Sequence, residues 1–389
     1  MPTTIRTNDP RELLALIPFQ LGFQPDESLV AVSVRADRAV GLIARVDVAD
    51  LAPPEPGGQL ARSLVAHLSS DGAQRVVVVV YTAQDLQDGL GSTPAAAVEQ
   101  LRAAAEHVLG DVDCWVVGPA GYYSLGCPDR ECCPAGGRSL DGLQSTRVGA
   151  QMVLEGVQVA RSRDGLVRIP QASASERKAA RRARVRWEAR FQTPAGPAQA
   201  HQWRLRGLEL WRRQVADVGV AASGPWDAAD AAGVAPLRFG STSPVLPPPT
   251  AVGKLLAALD DVLVRDAVLL TFVPGVERVA DRIVAGDTAA DVGNALEAII
   301  DPVRGTRPDP ERTGPARLVL EHLVAHAPRR GHAPTLTLLA VLAWWEGDGA
   351  RAGVLVDRAL ATDPDYRLAR LVDDALRLGM PPGWVRAGR

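Results

Sequence analysis

Lysine is almost missing from this chain: Lys178 and Lys254 are the only two among 43 basic residues, the rest being arginine. Such a skew, with abundant Ala, Gly and Pro, is what a GC-rich genome encodes. It weakens any argument that a particular arginine was chosen for bidentate recognition. Charge of one sign is also lacking. The 43 basic residues face 45 acidic ones, a formal net charge of −2, which argues against attraction of the whole protein to nucleic acid or membrane. No apolar run approaches the roughly 20 residues that span a bilayer; Val76–Val80 is strand-sized. Leu13–Ile17 is short, is broken by Pro18 and follows Asp9, Arg11 and Glu12, unlike a secretory signal. Cysteines number four. With no signal of export they are expected in a reducing cytosol, where structural disulfides are uncommon.

Catalytic signatures are equally scarce. No nucleophile elbow G-x-S-x-G occurs, and no His stands beside a Ser or Cys in a way that suggests a triad. Gly89-Leu90-Gly91-Ser92-Thr93 precedes a helix and offers an N-terminus to an anion. It lacks the lysine of a P-loop and the third glycine of a dinucleotide fingerprint.

What is there is an ordinary globular composition. Of 389 residues, 47% are apolar and 23% charged, which excludes wholesale disorder. At about 150 residues per domain the length suggests two or three domains. Residues 1–170 read as an α/β domain. Ser28–Val34 and Val40–Val48 are β-branched runs around a turn, hence a hairpin. Gln59–Leu68 carries a helical stripe. Val76–Val80 is apolar at every position, as in a central strand covered on both faces. A helix is expected from Thr93 to about Leu109. Val112–Val117 and Gly121–Leu125 then read as paired strands. Arg11–Leu16 suggests a short helix ended by Pro18. The outcome is a mixed sheet with packed helices.

From about residue 171 no strand is expected. Long basic helices fill 171–222, a Pro-rich connector 223–250, and an all-α helical domain 251–389. Near 333–366, Leu339, Gly347-Asp348, Ala352, Val356, Ala359 and Pro364 have the spacing of a tetratricopeptide-like hairpin. Simple helix packing explains the same pattern.

Several segments together carry a family likeness. They are Leu16-Ile17-Pro18 through Leu21-Gly22-Phe23-Gln24-Pro25 to Ser28-Leu29-Val30, and Ala44-Arg45-Val46-Asp47. Tyr123-Ser124 follows, through Cys127 to Cys132-Cys133-Pro134 with Gly136-Gly137. The helical half adds Val264-Arg265-Asp266, Thr335–Ala340, Gly347-Asp348-Gly349 and Asp363-Pro364. In these the chain resembles the uncharacterised actinobacterial domain of unknown function 4192 family over most of its length, with a weaker pattern over 190–250. The resemblance implies an actinobacterial cytosolic protein. It transfers no catalytic residue, cofactor or partner.

Candidate sites follow from chemistry. Cys127, Cys132 and Cys133 put three thiols in one polar loop. Zinc needs four ligands, and Cys114 would be the fourth if neighbouring strands bring it close. No C-x-x-C pair exists, however, and adjacent cysteines are expected to point in different directions. A thiol switch favoured by Arg130 and plain packing of a tight loop are the alternatives. Asp26, with Arg45 and Asp47 on one face of a strand, could form a small-molecule pocket of two acids and an anion-binding arginine. A mutually satisfied Arg45–Asp47 pair is preferred, because buried charges are normally paired. Arg177, Arg181, Arg182 and Arg184 lie on a basic helix that could contact phosphates, with Trp187 or Trp203 stacking on bases. His322 and His326 are four apart, a spacing for two metal ligands, but they flank an apolar stripe and lack the H-E-x-x-H order. Trp344-Trp345 suits core plus interface. The leading expectation is a cytosolic non-enzymatic interaction or regulatory protein with a protein partner and no cofactor. Alternatives are a hydrolytic or thiol-redox enzyme on the sheet-edge loops, with zinc a weaker cofactor candidate, and a nucleic-acid-binding protein on the basic helices.

Overall fold

A strand that is apolar on every residue has no face to give to water, so it needs cover on both sides. In the computed structural model, which describes residues 9–86, 92–190, 196–222, 245–286, 291–328 and 331–387, the valine run has that cover. The chain forms two compact units, Met1–Leu166 and Val167–Arg389. The first runs α1 (Pro10–Leu21), β1 (Ser28–Val34), β2 (Val40–Asp47), α2 (Val48–Leu51), α3 (Pro54–Ser70), β3 (Arg75–Tyr81), α4 (Thr93–Ala105), β4 (Asp113–Val117), β5 (Tyr122–Ser124), α5 (Asp141–Gln144) and α6 (Arg147–Leu154). Five strands form one mixed sheet in the order β2-β1-β3-β4-β5. β3 and β4 are parallel, from Val77 opposite Asp113 to Tyr81 opposite Val117. β1 runs antiparallel to both β2 and β3, and β5 antiparallel to β4.

Alternation sends the side chains of β3 to two cores. Val76, Val78 and Val80 pack with Leu64, Leu68, Val98 and Leu101 of α3 and α4. Val77, Val79 and Tyr81 pack with Leu13, Leu14 and Ile17 of α1 and with Leu140 and Leu143. The expected mixed sheet with packed helices is therefore present.

Three helices differ in extent from the expectation. α1 does not stop at Pro18 but continues to Leu21. Proline removes one N–H, so the helix gives up the bond to Leu14; the buried Leu13, Leu14, Leu16 and Ile17 hold it together regardless. The Asp9 carboxylate accepts from the Arg11 N–H at 2.9 Å to start the helix, and Gly22 at φ +77° ends it. α3 is longer than its stripe suggested, and α4 ends at Ala105 rather than Leu109.

The second unit is helical: α7 (Ala174–Ala189), α8 (Pro197–Ala222), α9 (Pro249–Ala258), α10 (Val262–Leu270), α11 (Glu277–Ala285), α12 (Asp291–Ile300), α13 (Pro310–His326), α14 (Ala333–Trp345), α15 (Gly349–Thr362), α16 (Arg367–Arg377) and α17 (Gly383–Ala387). It contains no strand among the described residues. Most of the expected connector lies outside those residues, and its last two positions already belong to α9. α7 and α9 approach so closely that a Cβ on Gly253 would collide with the Ala180 carbonyl. α14 is buried along its whole length, as a helix apolar on every side must be. It pairs with α15 across Gly347 at φ +90°, burying Ala352 and Ala359. That geometry is shared by any close-packed helical pair and does not by itself make a tetratricopeptide unit.

One buried carboxylate ties the sheet edge to α3. Asp71, its side chain 2% exposed, accepts from the Ser33 hydroxyl at 2.7 Å, the Leu42 N–H at 2.9 Å and Arg35 Nη2 at 2.8 Å. A side chain on Gly41 would occupy the place of that carboxylate. Burial alone would raise the carboxyl's pKa, but Arg35, the Leu42 amide and Ser33 hold it below the ordinary value. Asp71→Asn is expected to cost about 1–2 kcal/mol at pH 7, because the Ser33, Leu42 and Arg35 donors lose the charge they surround, while the half-exposed Arg35 regains water. The ionised Asp71 stabilises fully above the unfolded pKa of about 3.9, and the gain is lost as pH falls through the lower folded value. Urea unfolding of both proteins at pH 7 and pH 3 checks this; a difference that persists unchanged at pH 3 contradicts it.

Candidate functional site

Parallel strands end side by side, and in open, mostly parallel sheets ligands sit beyond the strands' carboxyl ends; β3–β4 is the parallel pair of this mixed sheet. Here a cleft of about 1010 Å³ opens beyond β3 and β4, at Tyr81-Thr82-Ala83 and Val117-Gly118-Pro119. Its walls are Leu14, Pro18 and Phe19 of α1, Leu140 and Leu143 at α5, and Ala150, Val153 and Leu154 of α6. Gln24, Asp26, Thr82 and Gln144 supply polar groups, and no Arg or Lys lines it among the described residues. α1 and α6 are tied by Glu12, whose carboxylate accepts from the Arg147 N–H at 3.1 Å and the Val148 N–H at 2.8 Å. These are free amides of a helix N-terminus, where a carboxylate is doubly favoured.

Tyr81 is the unusual wall residue. It is 3% exposed, and its hydroxyl is buried with no hydrogen-bond partner. Burial pushes its pKa up strongly, so the group is a neutral phenol. Leaving a buried hydroxyl unpaired costs about 1–3 kcal/mol. Tyr123, facing the other core, shows the usual arrangement: its hydroxyl donates to Asp85 at 3.0 Å and accepts from the Leu86 N–H at 2.8 Å.

The predicted pocket residues separate. Asp26 is exposed and lines the cleft. Arg45 and Asp47 do not line it. Arg45 grips Asp47 through both guanidinium ends, donates to the Ser28 hydroxyl at 2.8 Å and lies 6.0 Å from the Phe23 ring centroid. The two charges pair as preferred, but the pair is not buried, the Asp47 side chain being 41% exposed. Between them sits Glu27, a non-glycine residue at φ +38°. Its carboxylate accepts from the Thr82 hydroxyl at 2.9 Å and the Ala83 N–H at 3.0 Å, and its carbonyl from the Val48 N–H at 3.1 Å. The strained backbone persists because both ends of the residue are held.

The thiols meet on the opposite face of the sheet. The sulfurs of Cys127, Cys132 and Cys133 all lie within 4.8 Å of one another, so the three could hold a metal ion. The expected divergence of adjacent Cys132 and Cys133 does not occur, because they stand in a turn rather than a strand. The Cys133 N–H donates to the Asp129 carbonyl at 2.8 Å, and the Asp129 carboxylate accepts from the Glu131 N–H at 2.9 Å and the Cys132 N–H at 3.2 Å. Helical rotation separates neighbours by about 100° instead of the 180° of a strand. Burial, with hydrogen bonding to the other two thiols, raises the Cys133 pKa. Cys114 does not join the group. It faces the α3–α4 core, 3% exposed, and burial pushes its thiol up to about 12.

Among the basic residues, Arg184 is engaged by Glu188 at 2.7 Å and Asp260 at 2.6 Å, and Arg177 by Gln171. Arg181 and Arg182 are exposed. Trp187 and Trp203 pack on one another at 6.5 Å with Lys254 over Trp187 at 5.5 Å, so stacking on bases would have to displace these contacts. His326 is buried rather than flanking, its ring 4.4 Å from that of His322, whose Nε2 meets the Pro247 carbonyl at 3.0 Å. Burial first, and the neighbouring His326 second, lower the His322 pKa. His332 is elsewhere, bonded to Asp260 at 3.0 Å. Trp344 and Trp345 are both core, donating to the Met380 and Thr306 carbonyls. The Gly89-Leu90-Gly91 stretch lies outside the described residues.

The molecule is thus a two-unit protein in which a mixed α/β sheet with a cleft beyond its parallel strands precedes a helical unit. The family described as domain of unknown function (DUF4192) matches residues 10–383, and the chain belongs to it. Curated proteins and solved structures gave no match.

Glu12 passed unnoticed in the sequence, although it carries the α1–α6 wall. Glu12→Ala is expected to cost about 1–2 kcal/mol and to free the first turn of α6. Amide hydrogen exchange at Arg147 and Val148 reads this directly; equal protection in both proteins contradicts it.

Proposed function

We propose that this is a cytosolic, non-enzymatic binding and regulatory protein whose α/β unit holds a small, mainly apolar molecule in the cleft, with a helical unit that docks a protein partner. The apolar cleft at the carboxyl ends of β3 and β4, with Tyr81 in its wall, carries the reading. The Tyr81 hydroxyl is buried without a partner, so a ligand that reaches it by a small shift of the ring would offer an acceptor such as a carbonyl or ether oxygen. Apolar walls and a few placed polar groups are what small-molecule sites share. Asp26 is the one charged residue among the described lining, which favours a neutral or weakly basic ligand over a phosphate or nucleotide. The Arg45–Asp47 charges neutralise each other away from the cleft and supply neither acid nor anion site to it. Cytosolic placement is supported by four free cysteines, and no described helix is long and apolar enough to cross a membrane.

Tyr81→Phe tests the proposal in two ways. Without ligand, deleting a buried hydroxyl that lacks a partner is expected to raise stability by about 1 kcal/mol. With ligand, the gain in Tm shrinks, because the acceptor has lost its donor. Thermal-shift screening of neutral and amine-bearing apolar compounds beside nucleotides and inorganic phosphate, with native mass spectrometry of each hit, provides the measurement. Stabilisation by nucleotides alone, or hits equally effective on both proteins, would overturn the reading.

A further inference from the structure

The second chemistry-bearing cluster lies on the other face of the sheet and owes nothing to the cleft. We propose that Cys127, Cys132 and Cys133 bind one Zn²⁺ as three thiolates and leave its fourth position to an exogenous ligand. The sulfurs are within 4.8 Å of one another. Around a tetrahedral zinc with Zn–S bonds of about 2.3 Å they would be about 3.8 Å apart. Small side-chain rotations close that gap, and the Asp129 carboxylate fixes the backbone of the turn that carries Cys132.

Two donors stand against the sulfurs. Arg138 Nη2 lies 3.4 Å from the Cys132 sulfur, and the Ser124 N–H lies 3.5 Å from the Cys133 sulfur. Donors of this kind orient the ligands of a metal and offset their charge. Three thiolates on a divalent ion leave one negative charge, which the Arg138 guanidinium meets. The loop is anchored as well. Arg138 pairs with Tyr122 through two backbone bonds of 2.9 and 2.8 Å, which needs Gly137 at φ +84°, where a Cβ would come within 2.8 Å of the Tyr122 nitrogen. Cys133 is buried while Cys127 and Cys132 are half-buried. An ion there would have protein on one side and solvent on the other, as sites with an open position do. Each thiol gives up its proton to the solvent on binding, and no oxidant or reductant takes part.

The full-length protein, reduced and then loaded with Zn²⁺, is expected to retain one ion per chain by elemental analysis. Co²⁺ in its place should show thiolate-to-metal charge transfer in the near ultraviolet and the intense red bands of a tetrahedral site. Cys127→Ser and Cys132→Ser are expected to weaken Zn²⁺ binding by more than about 100-fold, beyond what an outer contact contributes, and Arg138→Ala by about tenfold. Cys114→Ser should leave stoichiometry and spectrum unchanged. Because Cys133→Ser risks the fold, the two half-buried cysteines carry the test. Reduced protein that retains neither Zn²⁺ nor Co²⁺, binding of Cu⁺ alone, or a Cys127–Cys132 disulfide that forms in place of metal uptake would each overturn the proposal. Tyr81→Phe should bind Zn²⁺ normally, so failure of the cleft reading and failure of this one are separately visible.

Discussion

The two-sided burial of β3 is the constraint on which the α/β unit depends. Five valines in a row leave no solvent face, so helices must cover the sheet above and below. One layer is supplied by α3 and α4, the other by α1 with the short α5 and α6. The parallel β3–β4 pair then follows, since only a crossover such as α4 joins parallel strands. Once the two strands end together, the helices beside them define a cleft, and the last side chain of β3 is left in its wall. Tyr81 belongs to the same alternating row as Val77 and Val79, and so it is buried whatever its hydroxyl requires.

Charges in this unit are mostly committed to holding elements in place. Asp71 fastens the β1–β2 edge to the end of α3, Glu12 fastens α1 to α6, and Glu27 fastens the entry of β1 to the exit of β3. Arg45 and Asp47 satisfy one another. Each is a carboxylate or guanidinium surrounded by donors or acceptors that would be costly to leave bare. A cluster of charged residues in the sequence was therefore a poor guide to chemistry, because the fold spends such groups on architecture. The neutral Tyr81 and the thiols are what remains without such a task.

Much of this architecture was legible from residue patterns, for reasons that also explain what was not. The β-branched runs at Ser28–Val34 and Val76–Val80 announce strands, because period and branching are local properties. Pro18 misled, since its cost is local but the compensation, four buried apolar residues of α1, is tertiary. The Cys132–Cys133 pair misled in the same manner: divergence holds for strands, and only the Asp129 turn brings the sulfurs together. Tyr81 carried a readable signal, a tyrosine closing an all-apolar strand, but whether its hydroxyl finds a partner depends on residues far along the chain. α14 is apolar on all sides and buried throughout, so its residues announce a helix without distinguishing a face.

The cleft and the thiol loop stand on opposite faces of one sheet yet share its β4–β5 edge. Tyr122 and Tyr123 are consecutive and face opposite cores, the first toward the cleft side and the second toward the thiols. The loop that carries the thiols returns to the sheet through the Tyr122–Arg138 bonds, and its Arg138 also reaches the Cys132 sulfur. Side chains on β5 therefore meet two environments whose requirements differ. One side carries apolar walls and the buried Tyr81 phenol; the other carries a tight, glycine-dependent loop in which three sulfurs meet. The short β5 can serve both because alternation separates their side chains while the backbone bonds of Tyr122 hold the loop that follows. A substitution at Tyr122 or Tyr123 therefore disturbs one core directly and the other through the shared backbone.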